Sequence, residues 1–214
     1  MVRNLKFLEH IQNSHLKPMF SEEELRLLFS DQEPYFIHNG ISRNLKSGKL
    51  LKLRRGLYLL SDQSSSVSRL SIANHLYSPS FVSFESALSY HGLIPEAVYT
   101  MTSAFPLNKK KQFETSTGVY SFEYSPAFSF FLGVEKNADG VLMASPLRAL
   151  FDLVSIRRKN YRTLVEMEGD LRIDLDQLQK EVETLSSKEI FVLAQSFKKK
   201  RLIEFASVLV QELK

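Results

Sequence analysis

The stretch from Pro34 to Leu60 reads PYFIHNGISRNLKSGKLLKLRRGLYLL. In its first half Ile37, Ile41 and Leu45 recur every four positions, the spacing that lines one face of an α-helix. The opposite face shows His38, Asn39, Ser42, Arg43 and Lys46. Gly40, inside this pattern, costs roughly 1 kcal/mol of helix propensity against alanine, so the helix needs tertiary support. Gly48 suits the left-handed residue that ends a helix. Two short apolar stretches, Leu50 to Leu53 and Leu57 to Leu60, then flank Arg54-Arg55-Gly56, where glycine supplies the positive φ of a tight hairpin. Between Pro34 and Asp62 stand six cations, Arg43, Lys46, Lys49, Lys52, Arg54 and Arg55, and no anion. That +6 against +4 for the whole chain leaves −2 for all other residues. Positive charge is focused on a helix and a hairpin, as recognition of a polyphosphate backbone requires.

Upstream, Leu5, Phe7, Leu8 and Ile11 predict a short amphipathic helix ending near Asn13, and Pro18 breaks the chain. Ser21-Glu22-Glu23-Glu24 is a capping box at a helix start, with Leu25, Leu28 and Phe29 inward. Asp31 to Pro34 is a turn. Helix, helix, basic helix, basic hairpin is the order of a winged helix-turn-helix, expected over residues 1–62. In that frame the basic helix enters the major groove, where Arg43 can fork onto guanine and Asn39 can pair with adenine. Ser42, Lys46 and Tyr35 are placed to grip phosphate, with His38 on the same face. Lys49, Lys52, Arg54 and Arg55 follow the backbone or probe the minor groove. Phosphate contacts give affinity, and base contacts give sequence choice.

Residues 61–68, rich in serine, read as a linker. The second domain, 68–214, is expected to be α+β, with helices flanking a small mixed sheet. Helices are expected near Leu70–Tyr77 and Ser83–His91, with Ser83 as N-cap and Gly92 as the left-handed cap. Strands are expected at Val98–Thr102, Gln112–Thr117, Val119–Tyr124, Phe128–Val134 and Val141–Ala144. Pro146 opens a further helix, and the remainder is helical. No internal repeat is found.

Composition narrows the class. The chain has 214 residues, 43% of them apolar and 24% charged, as in ordinary globular proteins. Sixteen Phe and eight Tyr supply a core, and the lack of cysteine removes disulfides, thiolate metal sites and thiol catalysis. No window approaches a membrane span and no signal-like run opens the chain, so a cytoplasmic protein is expected. No nucleophile elbow, phosphate-binding glycine loop or dinucleotide fingerprint occurs, and His10, His15, His38, His75 and His91 lack ligand spacing. Neither an enzyme nor a cofactor is indicated. Asp174-x-Asp176 has the carboxylate spacing by which nucleotidyltransferases hold divalent ions, but helix capping explains it. Three more basic runs, Lys109-Lys110-Lys111, Arg157-Arg158-Lys159 and Lys198-Lys199-Lys200-Arg201, read as solvated loops or helix ends, or as an extended footprint.

Two longer strings carry a resemblance. Arg54-Arg55-Gly56-Leu57-Tyr58-Leu59-Leu60 and Phe81-Val82-Ser83-Phe84-Glu85-Ser86-Ala87-Leu88-Ser89-Tyr90-His91-Gly92-Leu93-Ile94-Pro95-Glu96 resemble the AbiEi family, the antitoxins and transcriptional regulators of type IV toxin–antitoxin systems. Tyr99-Thr100-Met101-Thr102, Gly118-Val119-Tyr120, Phe131-Leu132-Gly133 and Ala144-Ser145-Pro146-Leu147-Arg148-Ala149-Leu150-Phe151-Asp152 follow in a similar order. The likeness runs from about residue 20 to 200. Leu147-Arg148 departs from the Glu-Lys usual in the family. The resemblance implies a repressor that binds its own promoter as double-stranded DNA and is the antitoxin to a nucleotidyltransferase-type toxin. The alternative is an interaction protein whose second domain neutralises a toxin or enzyme directly, with DNA contact secondary. A homodimer on DNA would suit two half-sites, but no leucine seam specifies one.

Overall fold

A computed structural model describes residues 2–157 and 159–214, with side chains from Phe7 onward. Leu5 and Arg158, named above, therefore lie outside the described side chains. The chain is α+β, with a three-stranded antiparallel sheet and a six-stranded mixed sheet. Residues up to Ile72 together with Phe113–Gly118 make one compact unit, and Ala73–Gln112 with Val119–Lys214 the other.

The first unit runs α1 (Val2–Gln12), β1 (Met19–Ser21), α2 (Glu22–Leu28), α3 (Pro34–Lys46), β2 (Leu50–Arg54) and β3 (Leu57–Leu60). Ser21 caps α2 reciprocally. Its hydroxyl accepts from the Glu24 amide at 3.1 Å, and Glu24 accepts from the Ser21 amide at 2.7 Å. Ser21→Ala should cost about 1 kcal/mol, read as a lowered thermal midpoint of the far-ultraviolet signal. β1 was not expected. It pairs antiparallel with β3, Met19 against Leu59, so the hairpin becomes the middle and edge of a three-stranded sheet. The six cations and their scaffold are thereby fixed to one core, built from Phe7, Ile11, Phe20, Leu25, Phe29, Ile37, Ile41, Leu50, Tyr58 and Leu60. Residues 61–66, expected as an open linker, form a 3-10 helix in which the Ser64 and Ser66 hydroxyls bond back to the Ser61 and Gln63 carbonyls. Serine hydroxyls offer the backbone this local alternative.

The six-stranded sheet has the order β6 (Lys111–Thr115), β7 (Gly118–Tyr124), β5 (Thr100–Phe105), β4 (Phe81–Val82), β9 (Leu142–Ala144), β8 (Val134–Lys136). β5 with β7 and β4 with β9 are parallel, while β4–β5 and β8–β9 are antiparallel. Helices α4 (Arg69–Leu76), α5 (Phe84–Tyr90), α6 (Pro146–Ile156), α7 (Leu164–Leu171), α8 (Leu175–Glu183), α9 (Ser187–Ser196) and α10 (Lys200–Leu213) complete the chain. From Leu147 to Ser155 every residue of α6 is buried, as befits a helix apolar almost all round.

One expectation fails here. The strand expected over 128–134 is mostly turn, and only Val134–Lys136 joins the sheet. The carbonyls of Leu132 and Ser129 instead accept from the buried Arg148 guanidinium at 2.6 and 3.5 Å. Ser83 does stand at the N-cap of α5, but its hydroxyl gives no cap bond; it donates to Asp152 at 2.7 Å. The amide that a cap would satisfy, that of Ser86, donates instead to the Thr102 hydroxyl at 3.1 Å.

Candidate nucleic-acid interface

α3 begins at Pro34, whose fixed φ suits a first helical turn. Ile37, Gly40, Ile41 and Asn44 face the core. Tyr35, His38, Arg43 and Lys46 are exposed, and Asn39 and Ser42 half-buried, so the polar residues do share the outer face. The helix ends at Ser47, with Gly48 at φ +69. Lys49, Lys52, Arg54 and Arg55 are exposed along the hairpin that follows. The register shifts between Lys52 and Arg54, a bulge. Such a bulge re-aims side chains at the end of a strand.

The hairpin tip is held from below. Gly56 turns at φ +77, and its carbonyl accepts from the Glu22 amide at 2.9 Å, at the start of α2. Arg54 reaches over the turn to the Arg55 carbonyl at 3.0 Å. Glu22, Glu23 and Arg26 line the recess beside the two arginines, but Glu22 is already paired with Arg26 at 2.9 Å. Among the described residues none of the six cations of this segment forms an ion pair.

Charge is polarised along α3. Asp31 and Glu33 stand at its N-terminal end, and Arg43 and Lys46 in its last turn. A depression of about 650 Å³ runs beside the helix, where His10 and Gln32 join Tyr35, Asn39 and Arg43. His10 and Gln32 carried no signal in the sequence, because α1 and the α2–α3 turn meet α3 only through the fold.

The basic runs of the second unit behave differently. Lys110 pairs with Glu123 at 2.6 Å, Arg157 with Glu85 at 3.4 Å, and Lys159 with Asp170. The Lys159 ammonium and the Tyr161 hydroxyl hold the Asp170 carboxyl below its usual range. Arg201 donates to the Ser155, Arg157 and Lys159 carbonyls, and Lys199 to Ser155 at 3.0 Å. These cations close the carbonyl end of α6, where the helix dipole favours them. Burial, and then Arg201, push the Lys199 ammonium down.

His91 bonds the Ala144 carbonyl at 2.9 Å, and Gly92 closes α5 at φ +73, so both have structural work. Asp174 caps α8 by accepting from the Gln177 amide at 2.9 Å. Among the described residues no group of acids and histidines could hold a metal ion, and no helix is long and apolar enough to cross a membrane. Compared with protein-family models the chain matches none, and no curated protein matches it significantly.

Proposed function

We propose that residues 1–62, which belong to the first unit, are a winged helix-turn-helix module that binds duplex DNA. α3 lies in the major groove and the β2–β3 hairpin follows the phosphates as the wing. One observation carries this reading: six exposed cations, none of them ion-paired among the described residues, share a helix and the hairpin that follows it. In the second unit Lys110, Arg148, Arg157, Lys159, Arg172 and Lys200 instead pair with acids, and Lys199 and Arg201 with backbone carbonyls. Exposed unpaired charge retains its full attraction for a polyanion. Arg43 and Asn39 are the residues for base readout, and Lys46, Lys49, Lys52, Arg54 and Arg55 those for phosphate.

The sequence resemblance extends the proposal to a repressor of its own promoter, acting as the antitoxin beside a nucleotidyltransferase-type toxin. A gel shift on the protein's own promoter fragment tests the DNA reading. Arg43→Ala/Arg54→Ala/Arg55→Ala should abolish the shift while the far-ultraviolet spectrum stays native. With four or five phosphates neutralised per protomer, log K should fall against log salt with a slope of roughly −4 for the wild type. Undiminished binding by the triple variant would remove α3 and the hairpin from the interface.

A further inference from the structure

In the second unit the chain from Pro126 to Gly133 passes over α6 as an aromatic-rich turn. Phe131 and Leu132 remain 50% and 37% exposed there. This turn is held rigidly. Arg148 binds its carbonyls from beneath, the Ser145 amide donates to Gly133 at 2.8 Å, and Gly133 sits at φ +70. A Cβ at Gly133 would come within 3.1 Å of the Arg148 side chain. Leu132 and Gly133 of this turn line one wall of an open groove of about 580 Å³. Leu185 and α9 form the other wall, with Val192 45% exposed and Leu193 below it, and Leu147 belongs to the floor.

The rim has a sign. Glu135, Glu181 and Glu189 border the groove, against Lys188 alone among its lining residues. Glu189 accepts from the Ser186 hydroxyl and amide in the capping box of α9, which fixes its carboxylate at the groove edge. An apolar slot with a rigid wall and an acidic rim is the complement of an amphipathic helix whose apolar ridge is flanked by cations. The wall is formed in advance, so little ordering is needed on this side when a partner docks.

We propose that this groove docks a short amphipathic segment of a partner protein, one that inserts large aliphatic or aromatic side chains between lysines or arginines. The inference does not rest on the DNA reading, since every residue in it belongs to the second unit. The probe is a fluorescent synthetic amphipathic helix of leucine and lysine, titrated against the full-length protein by anisotropy. Its counterpart carries glutamate in place of lysine. The lysine helix should bind saturably, and the glutamate helix at least about tenfold more weakly. Val192→Asp and, separately, Glu135→Lys/Glu181→Lys should each weaken the lysine helix by about tenfold or more. All these positions are at least partly exposed, and a native far-ultraviolet spectrum confirms folding of each variant. Absent binding, equal binding of the two helices, or equal binding to wild type and Val192→Asp would each overturn the proposal.

Discussion

Asp152→Ala should destabilise the second unit by about 3–5 kcal/mol. Arg148 and Asp152 are both 0% exposed in the middle of α6, and their contact is 3.0 Å. The Ser83 and Ser125 hydroxyls donate to the two carboxylate oxygens at 2.7 and 2.6 Å. The guanidinium also donates to the Ser125 hydroxyl at 3.2 Å and lies over the rings of Phe81 and Phe197, at 5.1 and 5.2 Å from their centroids. Removing the carboxylate leaves a cation in this apolar setting and strands two hydroxyls. Burial without compensation is what makes the loss large, not the attraction of the pair itself. Arg148→Met/Asp152→Leu should accordingly lose less than Asp152→Ala, because no charge is then left behind. Urea unfolding followed by far-ultraviolet dichroism measures both. A loss under about 1 kcal/mol for Asp152→Ala would mean that the guanidinium finds water or another acceptor, so that the network does not anchor the 126–133 turn.

That network also marks where reading from sequence stops. The four side chains lie at positions 83, 125, 148 and 152, brought together only by the sheet and α6. Arg148 looks like a surface charge in sequence and is the largest fully buried side chain in the fold. The Phe128–Val134 run has strong β propensity, but propensity does not register that its carbonyls have a buried donor to satisfy. β1 and β4, three and two residues long, are too short for alternation to show, and long-range pairing defines them. What was legible was local. The Ser21 to Glu24 box, the four-residue spacing of α3, and Gly48, Gly56 and Gly92 at their positive φ depend on neighbours within one turn. The exposed cations were legible too, because charge must stay in water or meet a partner. The groove was not, since Leu132 and Gly133 meet Leu185 and α9 only through the fold.

Gly40→Ala should destabilise the first unit by roughly 1–3 kcal/mol, against a helix propensity that favours alanine by about 1 kcal/mol. A Cβ built at Gly40 would lie 2.5 Å from two ring carbons of Phe7. Phe7 is only 1% exposed. Its ring stacks on Phe29 at 5.0 Å and meets Phe36 edge-on at 5.8 Å. Retreat of that ring would disturb a three-ring cluster, so α3 must lift from α1 instead. The apparent flaw in the helix is thus the place where α1 approaches α3. The thermal midpoint should fall, and the DNA binding proposed for the first unit should weaken with it, since α3 would no longer keep its position relative to the β2–β3 hairpin. Phe7→Leu/Gly40→Ala should recover part of both losses, because the smaller side chain leaves room for the added methyl. A Gly40→Ala variant that melts higher than wild type would show that propensity outweighs the contact and that α3 is not set by Phe7.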